Sequence, residues 1–374
     1  MALNLNLRLE CISFVLFCCC LIAGAAGQNV AGRNPTGPNN VQPQHQEPTL
    51  KQRPPAQSDA ERHRIRLDIS VSDASRNPAA GLDLGDFTIL DNDQPQKIVA
   101  FQQLDPAITG TANLAKVLLV IDFVNSYLND TAVTLDGVEN FLRQNSGHLA
   151  HPMTILLLTE SGLQVMSQSS QDGNALAEIV HAIPSAVHTT YSVAGGEAYL
   201  ERYRLSVKTL IVIINREIQE PGRKMLVWTG PGWPLLDGPE EFYNARIHQQ
   251  NFNVMAVITN GLRKTRMVIC SPGGGSEHSF NKYLKPVKTP RDMNAADLDL
   301  QVLAVQTGGW TLDPRNGSRP EDQINECTSE FGVAYRLEFD PGKPASPEEY
   351  HSLKVMIDKP GLTARTIAEY YGEP

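Results

Sequence analysis

The densest set of chemically capable side chains lies at 262–291. Arg263, Lys264, Arg266, Lys282, Lys285, Lys288 and Arg291 stand there against one carboxylate, Glu277. The whole chain carries Lys+Arg 32 and Asp+Glu 41, a net charge of −9, so this stretch locally inverts the charge. Cations flanking a Gly-rich centre (SPGGGS) suit recognition of an acidic protein partner. A solvated insertion without a partner would have the same composition. Covalent and nucleotide chemistry is poorly served. Gly230-Pro231-Gly232-Trp233-Pro234-Leu235 lacks a third glycine, and its prolines remove N–H donors that would cradle phosphate. No Gly-x-Ser-x-Gly pattern occurs. His148 and His151 lie three apart with no HExxH or Cys/His cluster, and read as exposed residues at a helix end. With no nucleophile–base set, the chain does not read as an enzyme. Its acidic balance also excludes a general nucleic-acid binder.

These residues have to be positioned by the surrounding elements. An apolar run at 11–23 followed by small residues reads as a secretory signal ending near 27. If uncleaved, it would be an N-terminal membrane anchor. The expected location is secreted, periplasmic or cell-surface. Residues 28–62 are rich in Pro, Gln and Asn and read as a disordered tether. Cys270 and Cys327 remain after signal removal; placed in a long loop and a late helix, they give no reason to pair.

Residues 64–73 alternate apolar and polar, which is the period of a half-buried strand; 86–91 and 96–103 add two more around a turn at 92–95. From 116 the pattern changes. KVLLVI at 116–121 ends in Asp122 and reads as a strand buried on both faces. Helices are expected at 131–145, 173–182, 195–219, 238–250, 292–306 and 320–330. Strands are expected at 153–159, 162–167, 224–229, 253–259 and 308–312. Such alternation predicts an α/β, doubly wound, mostly parallel sheet. Short strands return at 333–339, 352–358 and 362–370. The simplest packing joins them to the first three, giving a discontinuous β-sandwich (63–104 and 332–371) interrupted by the α/β domain (115–331). The loop after a parallel strand at 253–259 would then carry all the cations to the edge that bears Asp122.

The stretches GLDLGDFTILDNDQPQKIVAF (81–101), LLVIDFVNS (118–126), PGRKMLVWTGPGWP (221–234), TGG (307–309) and DKPGLTARTIAEYYG (358–372) occur in an order and spacing that resembles the acidobacterial von Willebrand factor A-related family. The resemblance covers about 63–371. It implies a von Willebrand factor A-like (Rossmann-like) fold in an exported protein-binding module for adhesion or scaffolding. A structural envelope component is the alternative, and an uncharacterised enzyme a more distant one. Members often hold Mg²⁺ or Mn²⁺ through Asp-x-Ser-x-Ser and later loop residues. Here the resemblance maps that site onto Asp122, Ser126, Thr190 (or Thr189) and Thr229. The match is degenerate: Val124 replaces a serine, and Thr229-Gly230 stands where an Asp is expected. Asn125 or Asp130 could compensate. Alternatively, Asp122 binds loop N–H groups and Asp130 caps the next helix.

Overall fold

The computed structural model describes residues 64–104, 115–184, 196–234, 244–272, 280–312, 318–329, 331–342, 344 and 346–373. The expected signal (1–27), the expected tether (28–62) and the centre of the Gly-rich stretch lie outside the described residues.

Four strands precede the layered middle: β1 (Ile65–Ser72), β2 (Phe87–Asp91), β3 (Gln94–Gln96) and β4 (Ile98–Leu104). Asn92 and Asp93, both at positive φ, make the β2–β3 turn, as short polar side chains allow. Four more follow it: β12 (Ala334–Phe339), β13 (Tyr350–Ile357), β14 (Thr363–Arg365) and β15 (Glu369–Tyr371). They form two antiparallel sheets, ordered β14-β1-β12-β4 and β15-β13-β2-β3. Each sheet mixes strands from both chain ends; Ile65 pairs with Phe339, and Ile357 with Phe87. Ile65, Leu67, Ile69 and Val71 share one apolar cluster with Phe87, Ile89, Tyr335 and Leu337. Burying such side chains stabilises by about 1.5–3 kcal/mol each. The other face of β1 is buried too, although it carries Asp68, Ser70 and Ser72. That polar face lies against the layered middle.

The middle begins with β5 (Lys116–Asp122) and α1 (Leu128–Arg143). It continues through β6 (His148–Thr159), β7 (Gly162–Val165), β8 (Ser170–Asp172), α2 (Gly173–His181) and α3 (Gly196–Glu217). It closes with β9 (Lys224–Thr229), α4 (Ala245–Thr265), β10 (Met267–Pro272), α5 (Leu300–Gln306), β11 (Trp310–Leu312) and α6 (Pro320–Ser329). The sheet order is β11-β10-β9-β5-β6-β7, parallel except for β7; β8 also pairs antiparallel with β6. Leu118 and Val120 pack on α3, α4 and α5, while Val117, Leu119 and Ile121 pack on α1, α2 and α6. The unbroken apolar run of β5 thus serves two cores at once.

Several expectations are corrected. The helix at 238–250 and strand at 253–259 are replaced by one helix, α4, capped by the Asn244 side chain on the N–H groups of Arg246 and Ile247. Phe252, Met255, Ala256, Thr259 and Leu262 recur at helical spacing and are buried, so VMAVIT is a helix face and a neighbour rather than a strand. The strand is β10. The helix expected at 292–306 is confined to α5, preceded by short 3-10 turns. His148 is exposed and caps a 3-10 turn (Gln144–Gly147) as it opens β6, whereas His151 is part-buried within β6 and not at a helix end.

Because Cys270 sits in β10 and not in a loop, it faces α6, where it forms a disulfide with Cys327 (Cα–Cα 5.9 Å). TGG marks a close approach. A side chain on Gly308, at φ +78°, would stand 2.6 Å from the Thr366 nitrogen, and one on Gly309 would stand 1.9 Å from the Ile269 oxygen. Ala368 N–H donates to Gln306 O (2.8 Å) beside it.

Candidate functional site

Asp122 ends β5 and is 1 % exposed. Its Oδ1 accepts from the N–H groups of Val124 (2.9 Å) and Asn125 (3.0 Å). Its Oδ2 accepts from Asn125 Nδ2 (2.7 Å) and from the Trp228 indole (2.8 Å). Asn125 Nδ2 also donates to Ser206 on α3 (2.9 Å), tying the loop to a helix. Ser126 donates to Asp122 O (2.6 Å), and Thr229 to Val120 O (2.8 Å). Burial pushes the Asp122 carboxyl above its ordinary pKa, with the four donors pulling the other way.

The structure therefore brings Asp122, Ser126 and Thr229 to one rim. Thr190 lies outside the described residues. Asp130 does not cap: α1 starts at Leu128, with Asp130 inside its first turn, where a negative charge still suits the helix dipole. Trp228 and Ser206 were not foreseen. Trp228, one residue from the end of β9 and in register with Val120, is the available sequence signal.

Do these residues fit a hard cation? Mg²⁺ or Mn²⁺ needs several free oxygen lone pairs in octahedral array. Both oxygens of Asp122 already accept two hydrogen bonds each. The hydroxyls of Ser126 and Thr229 donate to backbone carbonyls and keep their lone pairs, Asn125 Oδ1 is buried without a partner among the described residues, and Val124 is buried in the apolar core and offers no oxygen side chain. Among the described residues no group of three or more His, Cys, Asp or Glu could hold a metal. A cation at Asp122 would have to evict the indole or the amide, so among the described residues this carboxylate does not fit one.

Above this node the chain turns outward. Tyr127 is 69 % exposed, and Pro231 is exposed across from it on the β9 loop. That loop is held by Gly230 (φ +115°), whose missing side chain leaves room for Ser126 Oγ, and by Trp233 packed edge-on to Trp228 (5.2 Å).

The cations do not share this rim. Arg263 and Lys264 end α4 and pair with Glu373, and Arg266 caps α4 in the left-handed conformation. All three precede β10 and so sit at the opposite sheet edge from Asp122. Lys282, Lys285 and Lys288 follow β10. Lys288 lies over the Tyr350 ring (6.0 Å) and Lys282 over Tyr283 (4.9 Å). A six-residue strand divides the expected patch in two, because the strand expected at 253–259 lies instead at Met267–Pro272. Separately, a cavity of about 650 Å³ between β6, β7 and α2 is lined by Leu157, Gln164, Met166, Ile179 and Ile183. The same lining also holds Ser161, Glu160 and Glu178.

No protein-family model matches the chain, and no curated protein sequence matches it. Solved structures with partial likeness include the SpRpn10 VWA domain (TM-score 0.30, 11 % identity, 58 % of this chain and 96 % of that one). BatB from Bacteroides thetaiotaomicron gives 0.29, 10 %, 57 % and 98 %. The pilus adhesin SpaC from Lactobacillus rhamnosus GG gives 0.33, 9 %, 78 % and 49 %. Likeness this slight carries no conclusion about activity or partners; the α/β architecture stands on its own strand order.

Proposed function

We propose that the chain is an exported, von Willebrand factor A-like protein-binding module. Its contact surface is the rim formed by the β5–α1 and β9 loops. In this reading the two antiparallel sheets are a discontinuous β-sandwich that carries the layered domain. Asp122 acts as an anchor for the β5–α1 loop and needs no cation. The supporting observation is Tyr127: a largely exposed aromatic on a loop fixed from below by three hydrogen bonds to a buried carboxylate, which the Trp228 indole of β9 holds with a fourth. Tyrosine is enriched where proteins bind one another, and a loop already held in place loses little entropy on binding. The Cys270–Cys327 bridge suits an oxidising, exported setting. The charge of the partner is left open, since Arg263 and Lys264 already have a carboxylate partner.

Proximity labelling from the full-length chain tests this, with and without Tyr127→Ala. The variant is expected to lose the most enriched neighbour while keeping its melting temperature. Identical labelling in both would overturn the reading. Millimolar Mg²⁺ or Mn²⁺ is expected to change neither result.

A further inference from the structure

The seam between β1, β12, β14 and the lower sheet edge holds an excess of buried positive charge. Arg223, immediately before β9, is 5 % exposed. One of its nitrogens, Nη2, donates to Ser70 on β1, and its guanidinium lies 4.5 Å over the Phe331 ring. Its Nε and Nη1 are buried and meet no acceptor among the described residues. The nearby carboxylate is Asp68, but Arg336 holds both its oxygens (2.8 and 3.1 Å). Arg336 and Arg365 stand close enough to Arg223 to repel it, and Arg266 shares the same Asp68. His151 lies edge-on to Phe331 (5.5 Å), and burial, with the Arg223 charge adding to it, lowers its pKa. Among the described residues, Arg223, Arg266 and Arg336 thus draw on one carboxylate, Asp68.

We propose that this seam is a binding site for a small oxyanion, either a phosphate or a carboxylate. The planar guanidinium offers N–H groups whose directions match the oxygens of both. A buried cation lacking its counter-charge is costly, and a bound anion would remove that cost. Arg266 and Arg365, beside it, are part-exposed. The net charge of −9 makes loose binding of polyanions a poor alternative, so the site should be discrete and saturable.

The test is a titration of the full-length, disulfide-intact chain with inorganic phosphate and, separately, acetate. Ionic strength is held constant with sodium chloride. At tenfold excess over Kd the melting temperature is expected to rise by about 2 °C and then saturate. A larger response to phosphate assigns a phosphate site, and a larger response to acetate a carboxylate site. Arg223→Met should abolish the saturable rise. A response no greater than that to chloride, or one unchanged in Arg223→Met, would overturn the proposal. Should that variant fail to fold, Trp310 decides, because Arg365 lies 5.0 Å over its ring. A saturable fluorescence change in the wild type that Trp310→Phe lacks supports the site, and no such change refutes it.

Discussion

The two edges of the parallel sheet each bury a charge, and they treat it in opposite ways. At the upper edge Asp122 receives four neutral donors, two on each oxygen. At the lower edge Arg223 has one accepting partner and two N–H groups without any among the described residues. A completely satisfied charge has nothing left to offer a ligand and becomes scaffold. An incompletely satisfied one keeps binding capacity. By this criterion the position that resembles a metal site is structural, and the position with no recognisable motif is the one open to a ligand.

The comparison can be broken in four ways. Reducing Cys270–Cys327 should have the largest effect. Opening a loop with a sequence separation of 57 costs about 4 kcal/mol in the chain-entropy account, read as a drop in urea midpoint. The loss should loosen α6 and the Phe331 shelf under Arg223 before it reaches the rim, which amide exchange would resolve. Next, Asp122→Ala strands buried donors and should cost about 3 kcal/mol. Asp122→Asn should cost less, since it still accepts but forces one donor to face an amide. A small effect from both would mean the node is not the anchor described.

Asp297, Asp299 and Glu369 are intermediate, each with one oxygen partnered and one not. Burial raises them from ordinary carboxylate values to about 6, 7 and 7. Raised acids favour the folded state fully below about pH 4, and that contribution is lost as pH climbs through 6 to 7. The urea midpoint should therefore fall between pH 5 and pH 8, by on the order of 2 kcal/mol in stability. Glu369→Gln should flatten part of that slope. Smallest of all, Arg223→Met without added oxyanion should stay within about 1 kcal/mol of the wild type, because removing an uncompensated buried charge offsets the lost contacts. A loss as large as that of Asp122→Ala would erase the contrast between the edges.

Much of the architecture was legible in the sequence. The period-2 alternation at 64–73 marked β1, and the apolar run at 116–121 marked β5. What failed was the assignment of VMAVIT, where a continuous apolar run imitates a buried strand. The helical recurrence of Phe252, Met255, Thr259 and Leu262 is visible only over a longer window. That error displaced β10, put Cys270 in a loop, hid the disulfide and united cations that the fold separates. At the rim, Asp122 and Ser126 could be found from their spacing. Trp228 and Ser206 could not, because their contacts depend on the register of β9 against β5 and on the docking of α3. The Arg223 seam lay beyond spacing altogether: Ser70, Arg223, Phe331 and Arg365 meet only after both chain ends have come together.

β1 is hydrogen-bonded on one side to β12 and on the other to β14, and both arise after residue 333. Among the described strands, the earliest synthesised is thus among the last to find its neighbours. Until residues 334–365 arrive, its two ladders stay open and Ile65, Leu67 and Ile69 lack their cover. Such distant pairing makes for slow closure and a long window in which exposed strand edges can associate wrongly. Removing β12 and β14 should therefore show itself first as aggregation through β1.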